Sequence, residues 1–285
     1  MIQPKILPSL LMAALLATAG ANATGAAPIH DAAKKENVRQ IEKLLKKKPG
    51  LVNERDGKGM TALHYAAQEG RAKAVEALMA HGAAIDAKVP EALVTPLMLA
   101  VAKKKRPVVD LLLAGGADVN AMSAYGGGPL HMAAGVGDSS LVALLIAKGA
   151  DPNARDRNEA WTPLHHAVFH RQRGIVALLL ADSVLVNERA HRGYTPLHMT
   201  AELGDAGMAK MLLAYGADPN ARTMAGRTPL HEAAQKGYGA IVEMLLAAGA
   251  DPANRDEFGA TPIEEAEQYQ HADVARMLRE HDAAQ

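Results

Sequence analysis

The tetrapeptide Thr162-Pro163-Leu164-His165 returns at Thr195-Pro196-Leu197-His198 and again at Thr228-Pro229-Leu230-His231, 33 residues apart each time. Looser copies stand at Thr61-Ala62-Leu63-His64, Thr95-Pro96-Leu97-Met98, Gly128-Pro129-Leu130-His131 and Thr261-Pro262-Ile263-Glu264, with an upstream one at Ala27-Pro28-Ile29-His30. Eight units therefore begin near residues 27, 61, 95, 128, 162, 195, 228 and 261. A period of this length means one array of stacked supersecondary units, because a single unit buries too little apolar surface to fold alone.

Each unit reads as two short helices and a turn. Thr228 caps the first helix with its hydroxyl, and Pro229 sits at the first helical position, where its missing N–H costs nothing. Leu230, Ala233 and Ala234 form a narrow apolar stripe, and Gly237 supplies a left-handed stop. Ile241, Val242, Leu245 and Leu246 mark a second helix, closed by Gly249-Ala250-Asp251-Pro252. The chain is 49% hydrophobic but only 3% aromatic. Small Ala pairs that let helices approach closely explain how a core forms with so few rings.

These motifs resemble the ankyrin repeat, and the resemblance covers residues 27 to 285. It implies an all-α ankyrin-repeat solenoid of about eight helix–turn–helix repeats with β-hairpin-like loops, and a concave face lined by first helices and hairpin tips. It also implies that the repeated histidine is structural, bonding its own cap and the neighbouring turn. The departures are Lys104 and Arg171 in place of the helix-ending Gly, Met98 and Glu264 in place of His, and Ala27 and Gly128 in place of the Thr cap. Lysines crowd the first unit and glutamates the last, as expected of polar end caps.

Met1 to Ala23 reads as an export signal: Lys5 supplies positive charge, Ile6 to Ala17 is mostly apolar, and Ala21-Asn22-Ala23 offers small residues for cleavage. The expected division is 1–23 signal peptide and 24–285 repeat domain. An exported chain without cysteine suits a bacterial periplasm, with secretion from the cell as the alternative. No second long apolar run follows, so no stable membrane insertion is expected after cleavage.

The composition removes whole classes of chemistry. With no cysteine there is no disulfide, thiolate nucleophile or iron–sulfur cluster, and a formal net charge of zero gives no general argument for nucleic acid. No serine sits in a G-x-S-x-G elbow, and Gly126-Gly127-Gly128 lacks the Lys-Ser/Thr of a phosphate loop. No cofactor and no enzymatic activity are expected. His166 and His170 stand four apart on one helical face and are weak candidates for a metal site, lacking a third ligand in register.

The scarce aromatics are better placed than they are numerous. Tyr125, Trp161, Tyr194 and Phe258 fall in the hairpin or just before the cap, and Phe169 seven residues after it, in slots the repeat leaves variable. In the ankyrin family such slots face the concave groove and touch partners, and aromatics and arginines are enriched at binding hot spots. Packing of tip aromatics on neighbouring hairpins is the alternative. The slot after the histidine, holding Tyr65, Met132, His166 and Met199, extends this face, although Leu99 there marks it as partly core. The expected partner-binding residues are Tyr125, Trp161, Phe169, His170, Arg192, Tyr194 and Leu203, on a monomer that binds one or more proteins and no nucleic acid. Truncating Trp161 is expected to weaken binding by about 2 kcal/mol and to leave the melting temperature nearly unchanged.

Overall fold

The computed structural model describes residues 28–182 and 184–283. The proposed signal segment, residues 1–23, lies outside them. Sixteen α-helices and no strand occur among the described residues, two helices to each sequence repeat.

The chain forms two compact units whose boundary runs through the repeat that begins at Gly128. Unit 1 is Met1–Ala133, Ser140–Asp151 and Asp156–Asn158; unit 2 is Ala134–Ser139, Pro152–Arg155 and Glu159–Gln285. The first repeats supply α1 (Pro28–Lys34), α2 (Val38–Lys47), α3 (Ala62–Glu69), α4 (Ala72–Ala80), α5 (Pro96–Ala102) and α6 (Arg106–Ala114). The fourth supplies α7 (Pro129–Val136) and α8 (Ser139–Ala147). Then follow α9 (Pro163–Phe169), α10 (Arg173–Ala181), α11 (Pro196–Leu203), α12 (Ala206–Ala214), α13 (Pro229–Lys236), α14 (Gly239–Ala247), α15 (Pro262–Gln268) and α16 (Ala272–Asp282).

Within unit 1, α1, α3 and α5 pack in order as one layer and α2, α4 and α6 as a second. Unit 2 repeats the plan with α9, α11, α13 and α15 against α10, α12, α14 and α16. The stripes foreseen from the sequence are the contact surfaces: Ala66, Ala67, Ala233 and Ala234 are wholly buried between first helices, and Val75, Leu78, Val242 and Leu245 wholly buried on second helices. Methyl groups at these crossings allow the close approach that larger side chains would prevent.

The repeated histidine bolts one repeat to the next. His64 Nδ1 accepts the Thr61 N–H at 3.1 Å, so the ring proton stands on Nε2, which donates to the Val94 carbonyl 30 residues later at 3.2 Å. His198 does the same with Thr195 at 3.2 Å and the Arg227 carbonyl at 3.2 Å, and His231 with Thr228 at 3.0 Å and the Ala260 carbonyl at 3.1 Å. Burial holds His64 and His198 down to about 4, so both rings are neutral in the fold. The replacements keep parts of the device. Glu264 takes the Thr261 N–H on a carboxylate oxygen at 2.7 Å, which closes the cap but reaches no further repeat. Gly128, without a hydroxyl, still donates its N–H to His131 at 3.1 Å.

The loops between repeats are hairpins closed by backbone hydrogen bonds rather than by strands. Ala190 donates to Tyr194, Thr223 to Arg227 and Asp256 to Ala260, and adjacent tips join through Met224 to Arg192 and Glu257 to Ala225. Where Lys104 and Arg171 replace the stop glycine, the backbone adopts the left-handed turn regardless, at φ 53° and 56°. Gly70, Gly204 and Gly237 make the same turn at φ 75°, 74° and 72° without the steric cost of a Cβ.

Candidate functional site

Six of the seven expected partner-binding residues lie in unit 2, and Tyr125 lies in unit 1 at a hairpin tip, 47% exposed. In unit 2 three of them touch. Trp161, directly before the Thr162 cap, packs against Phe169 with ring centroids 5.1 Å apart, and Phe169 meets His170 edge-on at 5.1 Å. Trp161 also stands edge-on to His166 at 5.3 Å. The cluster exists because Trp161 enters α9 at its cap while Phe169 and His170 leave it two turns later, on the same side. Phe169 and His170 are half-buried, and burial together with nearby His166 holds His170 below the ordinary imidazole value.

Two expectations need correction here. Trp161 is only 9% exposed, so it is the floor of the cluster and not its surface. Its truncation would empty a packed site, and Trp161→Ala should cost about 3–5 kcal/mol of stability, measured by chemical denaturation. Nor does the slot after the histidine extend the exposed face: Tyr65, Leu99, Met132, His166 and Met199 are all buried. Side chains there turn toward the hairpin and cap of their own repeat, as Tyr65 does to Asp56 and His166 to Trp161, which the repeat's short apolar stripe did not make plain.

The other three in unit 2 come later in the chain. Arg192 is an exposed tip residue in left-handed conformation, φ 62°. Leu203 is half-buried at the end of α11, and its carbonyl accepts from the Arg171 guanidinium at 2.8 Å. Tyr194 turns inward: its hydroxyl donates to Glu232 at 3.1 Å and its ring tilts over His198 at 5.4 Å. Burial, then the charges of Glu232 and Glu202, raise the Tyr194 phenol well above its ordinary value.

Sequence reasoning missed the strongest polar network. Arg227, directly before the Thr228 cap, turns into unit 2, where its guanidinium meets Glu232 at 2.9 Å, Glu265 at 2.7 Å and Asp256 at 3.6 Å. Burial disfavours the cation, but these partners outweigh it and hold Arg227 firmly charged. The signal was present: Glu232 and Glu265 occupy, in register, the slot that Tyr65, Leu99 and Met199 fill elsewhere. Charge is also unevenly divided. By sequence, the described part of unit 1 has 18 basic and 13 acidic side chains, and that of unit 2 has 12 and 18.

His166 and His170 remain a pair. Among the described residues no group of three or more His, Cys, Asp or Glu is arranged to hold a metal ion. No helix there is long and apolar enough to cross a membrane.

Capped helix pairs stacked in two layers, bolted by a repeated histidine and carrying variable residues at hairpin tips, define a repeat-scaffold protein. A family model described as ankyrin repeats (three copies) matches residues 8–89, 29–123, 97–190, 130–223, 181–256 and 223–285, and the chain belongs to the ankyrin-repeat family. Ankyrin repeats are generally protein–protein interaction modules and typically non-catalytic. No curated protein matches the chain.

Proposed function

We propose that this protein is a non-catalytic module, exported to a bacterial periplasm, that holds one partner protein and protects or inhibits it. The surface would be formed by first helices and hairpin tips, with Phe169, His170, Arg192 and Leu203 as its accessible part and Trp161 as its support. The supporting observation is the aromatic cluster of unit 2, where a half-exposed Phe169 is held in place by a buried tryptophan. A rigid aromatic backed by core packing loses little entropy on binding, as hot-spot residues do.

Crosslinked capture from periplasmic extract tests the reading. The native chain should retain a partner that the Phe169→Ala, Leu203→Ala double variant loses at an unchanged melting temperature; equal capture by both would refute this face. Fractionation tests the location. Protein accumulating in the medium without lysis would favour a secreted effector that binds a host or competitor protein. Metal retained through native purification, and lost with His166 and His170, would favour a metal-binding role.

A further inference from the structure

The first-helix layer of unit 2 changes character along its length. At α9 it presents the Phe169 cluster, and from α11 onward it holds carboxylates, Glu202 half-buried and Glu232 and Glu265 buried. Arg227 is the only cation within salt-bridge reach of Glu232, Glu265 and Asp256 among the described residues, and both Glu232 and Glu265 have further donors in Tyr194 and Gln235. Glu202 stands apart from that arrangement. It occupies in α11 the slot that Phe169 occupies in α9 and Gln235 in α13, it is half-buried, and no ion pair or hydrogen bond to it is formed among the described residues. Burial, reinforced by the charge of Glu232, raises its carboxyl above the ordinary range; Lys236 and Arg227 relieve this only from a distance. A half-desolvated carboxylate beside a second carboxylate is stabilised by any cation brought within a few ångströms.

Since α9 packs on α11, the Phe169 and Glu202 slots are neighbours across one helix–helix contact, and Leu203 follows Glu202 directly. We propose that the first-helix face of unit 2 takes a cationic partner segment, with a Lys or Arg seated against Glu202 and an adjacent apolar side chain covering Phe169 and Leu203. This rests on the partner-binding reading and narrows it to a class of partner. The acidic excess of unit 2 favours approach of such a segment and disfavours an acidic one. A bare metal ion is a poorer occupant, because Glu232 and Glu265 are already held by Arg227 and their oxygens are committed.

The test uses the intact chain panned against a display library of randomised short peptides, followed by fluorescence-anisotropy titration of the selected peptides at low and high salt. The selected peptides should carry Lys or Arg next to Phe, Leu or Met. Glu202→Gln should weaken them about tenfold and flatten the salt dependence, while Glu243→Gln, the same charge change at an exposed position of α14, should not. Thermal melts of both variants check the fold. If the selected peptides are neutral or acidic yet depend on Phe169, or if Glu202→Gln behaves as Glu243→Gln does, the cationic partner is wrong and the face stands. If binding ignores both Phe169→Ala and Leu203→Ala, the face itself is wrong and this inference falls with it.

Discussion

Two hairpins, one in each unit, are built alike and used differently. In unit 1, Asp56 accepts the Lys58 and Met60 backbone N–H groups at 2.9 and 3.0 Å; in unit 2, Asp256 accepts those of Phe258 and Ala260 at 2.9 and 3.0 Å. The second carboxylate oxygen faces Tyr65 in one, whose hydroxyl donates at 2.6 Å, and Arg227 in the other at 3.6 Å. Burial opposes ionisation of Asp56, but those hydrogen bonds outweigh it and hold the group below the usual carboxylate range. The turn is thus set by local backbone chemistry, and its surroundings by whatever fills the slot after the histidine. A tyrosine there makes one neutral-to-charged bond, whereas two glutamates require a cation and leave the region short of positive charge.

Breaking the two arrangements should therefore cost different amounts. Arg227→Met strands Glu232 and Glu265, both buried, and is expected to remove about 3–5 kcal/mol, against about 1–3 kcal/mol for Tyr65→Phe, as read from urea denaturation. Similar losses would mean that Arg227 is less committed than its contacts indicate.

Acid tests what the units share. His64 in unit 1 and His198 in unit 2 have values of about 4 in the fold and about 6.5 when unfolded. Between those values the unfolded chain binds a proton the fold refuses. The stability is intact above about pH 6.5 and falls as pH drops toward 4, by up to about 3 kcal/mol for each ring. Glu202, raised in the fold, acts in the opposite direction and only in unit 2, so Glu202→Gln should steepen that unit's loss. Hydrogen exchange followed on fragments from each unit measures both; protection that stayed flat down to pH 4 would mean the imidazoles are not the neutral bolts described above.

The smallest effect belongs to the caps. Thr195→Ala and Thr61→Ala should each cost about 1 kcal/mol, since both hydroxyls serve the same cap and stand 2.8 Å from the histidine Nδ1. A marked difference in their melting temperatures would show that the two units rely on their caps unequally.

The sequence alone carried the architecture, because each repeat states its own rules within a few residues: Thr and Pro start a helix, Ala sets how closely it packs, Gly or a left-handed substitute ends it. Those are local requirements, met with few departures across eight units, and repetition makes them legible. Trp161, Phe169 and His170 were also legible as a group, since one short helix brings them together. What sequence position did not reveal was depth. Trp161 shares a variable slot with Tyr194 and Arg227, yet one floors an aromatic cluster, one bonds Glu232 and one gathers three carboxylates. Tyr194 and Arg227 turn toward glutamates that the next repeat offers 38 residues away, whereas Trp161 turns toward Phe169 within its own repeat. That is settled by charge and by packing between helices, so only the tertiary structure decided it.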